Sequence, residues 1–135
     1  MIREPRETIA HSALDRSLTS ARAVLGIGNA EDVIALTYYA MYYSAQALLE
    51  RVGVTCKNHT ATPVLLTVYP IDPAPLENAR ELRIDTQYSI DPIVTLEDAT
   101  RLIMTAERFV ADAYAIQATI SNTEDHRSKI RALLG

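Results

Sequence analysis

The sequence predicts an all-α fold, a four- to five-helix up-and-down bundle. Three observations carry that expectation. No stretch alternates apolar and polar residues for six positions with β-branched enrichment, alanine is abundant in long windows free of Gly and Pro, and apolar residues recur every three to four positions. With 135 residues, 48% of them hydrophobic, the chain fits one domain with a sizeable core. No apolar run approaches the roughly 18 to 20 residues of a membrane span.

A first helix is expected to start near Pro5, a residue suited to a first turn, and to carry Ile9, Ala13, Leu14, Leu18, Ala21 and Leu25 on its apolar stripe. Gly26 and Gly28 end it. Asn29 is placed to cap a second helix whose first turn holds Glu31 and Asp32, where the helix dipole favours negative charge. That helix runs to Gly53 and is apolar or aromatic nearly all round, which predicts a central position. A loop over 54–58 leads to a short helix containing Val64, Leu65, Leu66, Val68 and Tyr69, closed by Pro70. Pro73 and Pro75 open a moderate helix from Leu76 to about Tyr88, and Asp91-Pro92 reads as the next turn. Thr95 with Asp98 resembles a capping box and starts a long amphipathic helix through Leu102, Ala106, Phe109 and Ala113 to Ile120. We therefore expect one bundle domain over 1–120, and over 121–135 either a short docked helix or a frayed polar tail, with Ile130, Leu133 and Leu134 on one side.

Charge narrows the function classes. The 13 basic and 17 acidic residues give a net charge of -4, which disfavours a duplex-binding protein that blankets phosphates with positive charge. Helix-turn-helix DNA binding is disfavoured for the same reason, and no short helix carries a basic recognition face. The basic residues are 11 Arg and only Lys57 and Lys129, a bias that either reflects genomic composition or exploits the planar guanidinium fork. The single cysteine, Cys56, forbids an internal disulfide and a cysteine-based zinc site. No metal-ligand, phosphate-loop or Gly-x-Ser-x-Gly motif is present, so no metal or cofactor is expected. With no apolar segment behind the N-terminal charges, the chain reads as cytoplasmic.

Three groups of residues are candidates for chemistry. Tyr38, Tyr39, Tyr42 and Tyr43 are four of the seven tyrosines, paired on two faces at i, i+4; they serve either as core or interface packing or as a base-stacking platform. His59, just before a helix start, is either a capping residue or a proton-transfer group, because its ordinary pKa lies near 6.5. His11 and His126 read as isolated on polar faces. Arg80, Arg83 and Gln87 share one helical face, so two guanidinium forks converge on one phosphate, or else they pair with Glu77, Glu81 or Asp85.

Four stretches, in order over about residues 8 to 118, resemble the HEPN family, small helical nucleotide-binding domains of higher eukaryotes and prokaryotes often encoded beside a nucleotidyltransferase. Tyr38-Tyr39-Ala40-Met41-Tyr42-Tyr43-Ser44-Ala45-Gln46-Ala47-Leu48-Leu49 is similar to the family's central Tyr-Tyr-Ala-Met-Phe helix. Gly53 through Lys57-Asn58-His59 resembles its Gly-x(n)-Lys-x-His loop, Arg83 to Tyr88 its Arg-x-x-x-Asp-Tyr stretch, and Ala106 to Val110 its last helix. The resemblance implies a homodimer whose shared cleft, holding Arg83, binds RNA or nucleotide, and Arg80 and Gln87 on the same helical face and His59 are expected to join it in binding. The resemblance further implies a toxin-type or nucleotidyltransferase-partner role, with metal-independent ribonuclease activity in many members.

In the family's Arg-x(4-6)-His motif the Arg would steady the phosphate and the His would move a proton. Here Arg83 takes the Arg position and Tyr88 stands in the His position, with no His between Arg83 and Asp125. Arg83 and Tyr88 are thus the catalytic candidates of a degenerate motif, although tyrosine, with a pKa near 10, is a poor base at neutral pH. Tyr88 is also the tyrosine that a partner nucleotidyltransferase would modify with adenylyl groups. The alternative reading is a non-catalytic regulatory or scaffold subunit for that nucleotidyltransferase.

Overall fold

The computed structural model describes residues 5–88, 94–120 and 123–134, and within them the chain is all-helical. Six helices follow in order: α1 (Pro5–Gly26), α2 (Ala30–Glu50), α3 (Ala61–Leu66), α4 (Ala74–Tyr88), α5 (Leu96–Thr119) and α6 (Thr123–Leu134). The turn expected at Asp91-Pro92 lies outside the described residues.

α2 is the axis of the bundle and packs against α1, α3, α4 and α5. Its sequence explains why. Val33, Ile34, Tyr38, Met41, Ala45, Leu48 and Leu49 point in several directions round the helix, and each is fully buried against a neighbour. With Leu14, Leu66, Leu76, Phe109 and Ala113, the residues Tyr38, Met41, Ala45, Leu48 and Leu49 form the main core, and each buried Leu, Ile or Phe contributes roughly 1.5–3 kcal/mol. A smaller cluster of Ala21, Ala30, Val33, Ala99 and Ile103 seals the end where α1 turns into α2.

The helix ends follow local rules. Gly28 and Gly53 have φ of +82° and +79°, a region that costs other residues a Cβ clash. At Gly53 the chain closes α2 with a Schellman turn: Val54 N–H donates to Leu49 C=O at 3.1 Å, and Gly53 N–H donates to Glu50 C=O at 3.0 Å. Asn29 caps α2 by accepting from Asp32 N–H. Thr95 and Asp98 form the reciprocal capping box that starts α5.

Two expectations are corrected. Ile9 is 66% exposed, because the inward stripe of α1 is Glu7, Ala10, His11, Leu14, Leu18 and Ala21, a rotation that the 3.6-residue period allows once Leu14 is fixed in the core. His11 therefore lies buried and not on a polar face. It donates from Nε2 to Gln117 Oε1 at 2.8 Å, approaches Glu7 Oε1 at 3.7 Å and stacks on Tyr114.

The C-terminal segment is a docked helix. Ile130 is buried at 1% exposure, and the Arg127 Nε donates to Val52 C=O at 2.9 Å. His126 stacks on Tyr69 with centroids 5.0 Å apart, so it too is engaged by its neighbours. Leu133 and Leu134 remain exposed.

Candidate functional site

The chemistry-bearing side chains converge on one face of α2. α4 brings the first of them. Leu76 and Ala79 are buried against the bundle, and Arg80 and Arg83 continue that same stripe at i+4. The packing face of α4 thus begins apolar and ends in two arginines, which holds their guanidinium groups in the groove beside α2. The Arg83 Nη2 donates to Tyr39 Oη at 2.9 Å. Its guanidinium carbon lies 4.9 Å from the Tyr39 ring centroid and 5.5 Å from that of Tyr38, within cation–π range of both. Among the described residues no carboxylate forms an ion pair with Arg80 or Arg83, so the predicted pairing with Glu77, Glu81 or Asp85 is not what organises this face.

The loop after α2 brings the second part. Asn58 fixes its shape: its Oδ1 accepts from Thr60 N–H at 2.9 Å and Ala61 N–H at 3.2 Å, while its C=O accepts from Thr62 N–H and Oγ1. The capping role considered for His59 thus belongs to Asn58, and the His59 ring turns inward onto α2. It stacks on Tyr42 with centroids 4.0 Å apart and a 10° interplanar angle, and its Nδ1 is hydrogen-bonded to Tyr38 Oη. Gln46 braces the loop from α2, donating to Cys56 C=O and to Tyr42 Oη, both at 3.2 Å.

The electrostatics follow from this packing. Burial lowers the His59 pKa below its ordinary value, and the positive charges of Arg80 and Arg83 lower it further. Burial likewise pushes the Tyr38 hydroxyl up to about 12, against the pull of Arg80. Burial also raises the Tyr42 hydroxyl. At neutral pH the pocket therefore holds a neutral imidazole and protonated phenols beside two permanent cations. Such a site attracts an anion and offers it guanidinium N–H donors.

Of the residues singled out from sequence, Arg80, Arg83 and His59 share this site. Gln87 and Tyr88 lie at the end of α4, both exposed, Tyr88 to 77%. Tyr38, Tyr39 and Tyr42, which the sequence left between packing and base stacking, also line the site. Their signal was the i, i+4 tyrosine pairing on α2, which packing and ligand binding produce alike.

These features define a class: a helical bundle whose central helix backs an Arg/His/Tyr cleft. The model of the HEPN domain matches residues 14–116, and the chain belongs to that family. No curated protein matches the chain. Among the described residues no helix is long and apolar enough to cross a membrane.

Proposed function

We propose that this HEPN protein binds RNA or a nucleotide in the Arg80–Arg83–His59 cleft and cleaves RNA there without a metal ion. The observation that carries the reading is the Arg83 guanidinium, laid over Tyr39 and bonded to its hydroxyl, with no carboxylate among the described residues to neutralise it. A phosphate entering the cleft would meet Arg80 and Arg83 as charge-assisted donors. His59 takes the proton-transfer role that the Tyr88 position cannot fill. In the tautomer whose Nδ1–H donates to Tyr38 Oη, His59 Nε2 carries the lone pair. It accepts the proton of a ribose 2′-hydroxyl as that oxygen attacks phosphorus, and returns it to the departing 5′-oxygen as the P–O bond breaks, leaving a 2′,3′-cyclic phosphate.

In this reading the protein is a cytoplasmic homodimer and the toxin-type partner of a nucleotidyltransferase. The exposed Tyr88 phenol fits the acceptor of adenylyl groups from that partner. A second reading, a non-catalytic regulatory or scaffold subunit, draws on the same exposure, because Tyr88 sits at the solvent end of α4 instead of beside His59.

The test is cleavage of a labelled oligoribonucleotide in the presence of EDTA by the purified chain, Arg83→Ala and His59→Asn. Cyclic-phosphate product from the wild type that both substitutions abolish supports the ribonuclease. Absence of cleavage, with nucleotide transfer by the partner enzyme that needs this chain but not Arg83, supports the scaffold.

A further inference from the structure

The tyrosine row on α2 does not stop at Arg83. From the guanidinium it is 4.9 Å to the Tyr39 ring, and 6.0 Å more to the Tyr43 ring, which is inclined to Tyr39 by only 27°. Tyr43 is half-buried and forms one wall of a cavity of about 280 Å³ between the start of α1, the middle of α2 and the loop that carries His59. The cavity is two-natured. Ile9, Ala10 and Ala13 of α1 make an apolar side, while Gln46, Glu50 and Lys57 bring an amide, a carboxylate and an ammonium to the other. Gln46 is fixed in that wall, since its amide nitrogen is held by Cys56 C=O and Tyr42 Oη. Pockets for drug-sized ligands run from roughly 300 Å³ upward, so this one is sized for a single heterocycle.

We propose that this cavity is a nucleobase subsite, which takes the base of a nucleotide whose phosphate lies at Arg83. A base has apolar faces and a polar edge, and this cavity offers an aromatic and aliphatic surface for the faces with hydrogen-bonding side chains for the edge. The Tyr39–Tyr43 row leads from one position to the other. The proposal rests on the phosphate reading of the Arg83 cleft and adds to it a preference for single strands, whose bases are free to leave a stack. Lys57 and Glu50 would supply the donor and acceptor that discriminate between bases.

The experiment compares a short oligouridylate with the same ribose–phosphate chain lacking bases, each titrated by fluorescence anisotropy into the wild type, Arg83→Ala, Tyr43→Ala and Ala13→Leu. Ala13→Leu fills the cavity while every tyrosine of the row is retained, and circular dichroism checks that both cavity variants keep their helices. The expected result is a preference of about tenfold or more for the base-bearing chain, as stacking of a base on an aromatic side chain supplies. Tyr43→Ala and Ala13→Leu should erase that preference while leaving affinity for the abasic chain unchanged. Arg83→Ala should weaken both ligands. Equal binding of the two ligands by the wild type, or a preference that survives Ala13→Leu, overturns the subsite but leaves the phosphate site standing. Abasic binding indifferent to Arg83→Ala, or no binding of either ligand, overturns both.

Discussion

The imidazole of His59 lies flat on the Tyr42 ring, centroids 4.0 Å apart, with its Nδ1 hydrogen-bonded to Tyr38. Two aromatic side chains one helical turn apart thus fix both the plane and the rotation of a histidine that arrives from a loop. Burial and the two arginines then keep it neutral.

His59 should therefore titrate below 6.5, followed as the Hε1 shift in a proton NMR titration. The unfolded chain protonates His59 at its ordinary pKa, so the contribution of the folded environment is complete above 6.5 and is lost as pH falls through the lower folded value. Arg80→Ala should move the midpoint upward, because it removes a nearby positive charge. An unchanged midpoint in that variant would show that Arg80 does not act on the ring.

Arg83→Lys keeps the charge but not the planar fork that bonds Tyr39 and lies over its ring. Oligoribonucleotide affinity should fall by roughly ten- to a hundredfold, corresponding to the ~1.5–3 kcal/mol of a hydrogen bond to a charged group. Thermal stability should change little. Tyr39→Phe, which removes only the hydroxyl partner, should produce a smaller loss in the same anisotropy measurement.

Gly53→Ala is expected to destabilise the protein by more than its backbone cost. A left-handed φ costs a non-glycine residue roughly 1–2 kcal/mol, and the new Cβ would come within 2.6 Å of Arg127 Nη2. The Arg127 side chain must then give way, loosening its bond to Val52 C=O and the docking of α6. Urea denaturation of Gly53→Ala, Arg127→Ala and the double variant should show a double-variant loss smaller than the sum of the two singles.

Thr95→Ala removes the hydroxyl that accepts from Asp98 N–H at 3.0 Å. Loss of such a cap costs about 1 kcal/mol, read as a lower urea midpoint with an unchanged slope. The hydrogen bonds from Thr95 also hold the Asp98 carboxyl below its usual range, so the variant should return that pKa toward its ordinary value in a carboxyl NMR titration.

Much of this molecule could be read from sequence because it depends on short-range rules. Helix starts at Asn29 and Thr95, the turn at Gly53 and the central place of α2 each follow from a few adjacent residues, whose capping, chirality and periodicity act within one or two turns. The orientation of α1 was less legible. Its stripe admits two neighbouring rotations, and only packing against α2 and α5, through Leu14 in the core and the His11–Gln117 hydrogen bond, selects the one that exposes Ile9.

The candidate site divides the same way. Spacing along the chain is enough to put Arg80 and Arg83 on one face of a helix and His59 just before another. Which partners they meet was decided by the tertiary structure. Arg83 and Tyr39 are 44 positions apart, and His59 and Tyr38 are 21 apart. Such pairs form only when α4 and the loop before α3 fold back onto α2, driven by burial of Leu76, Ala79, Leu65 and Leu66, none of which carries the chemistry. That is why Tyr88, five residues beyond Arg83, lies at the exposed end of α4, while Tyr38, Tyr39 and Tyr42 of the central helix line the cleft.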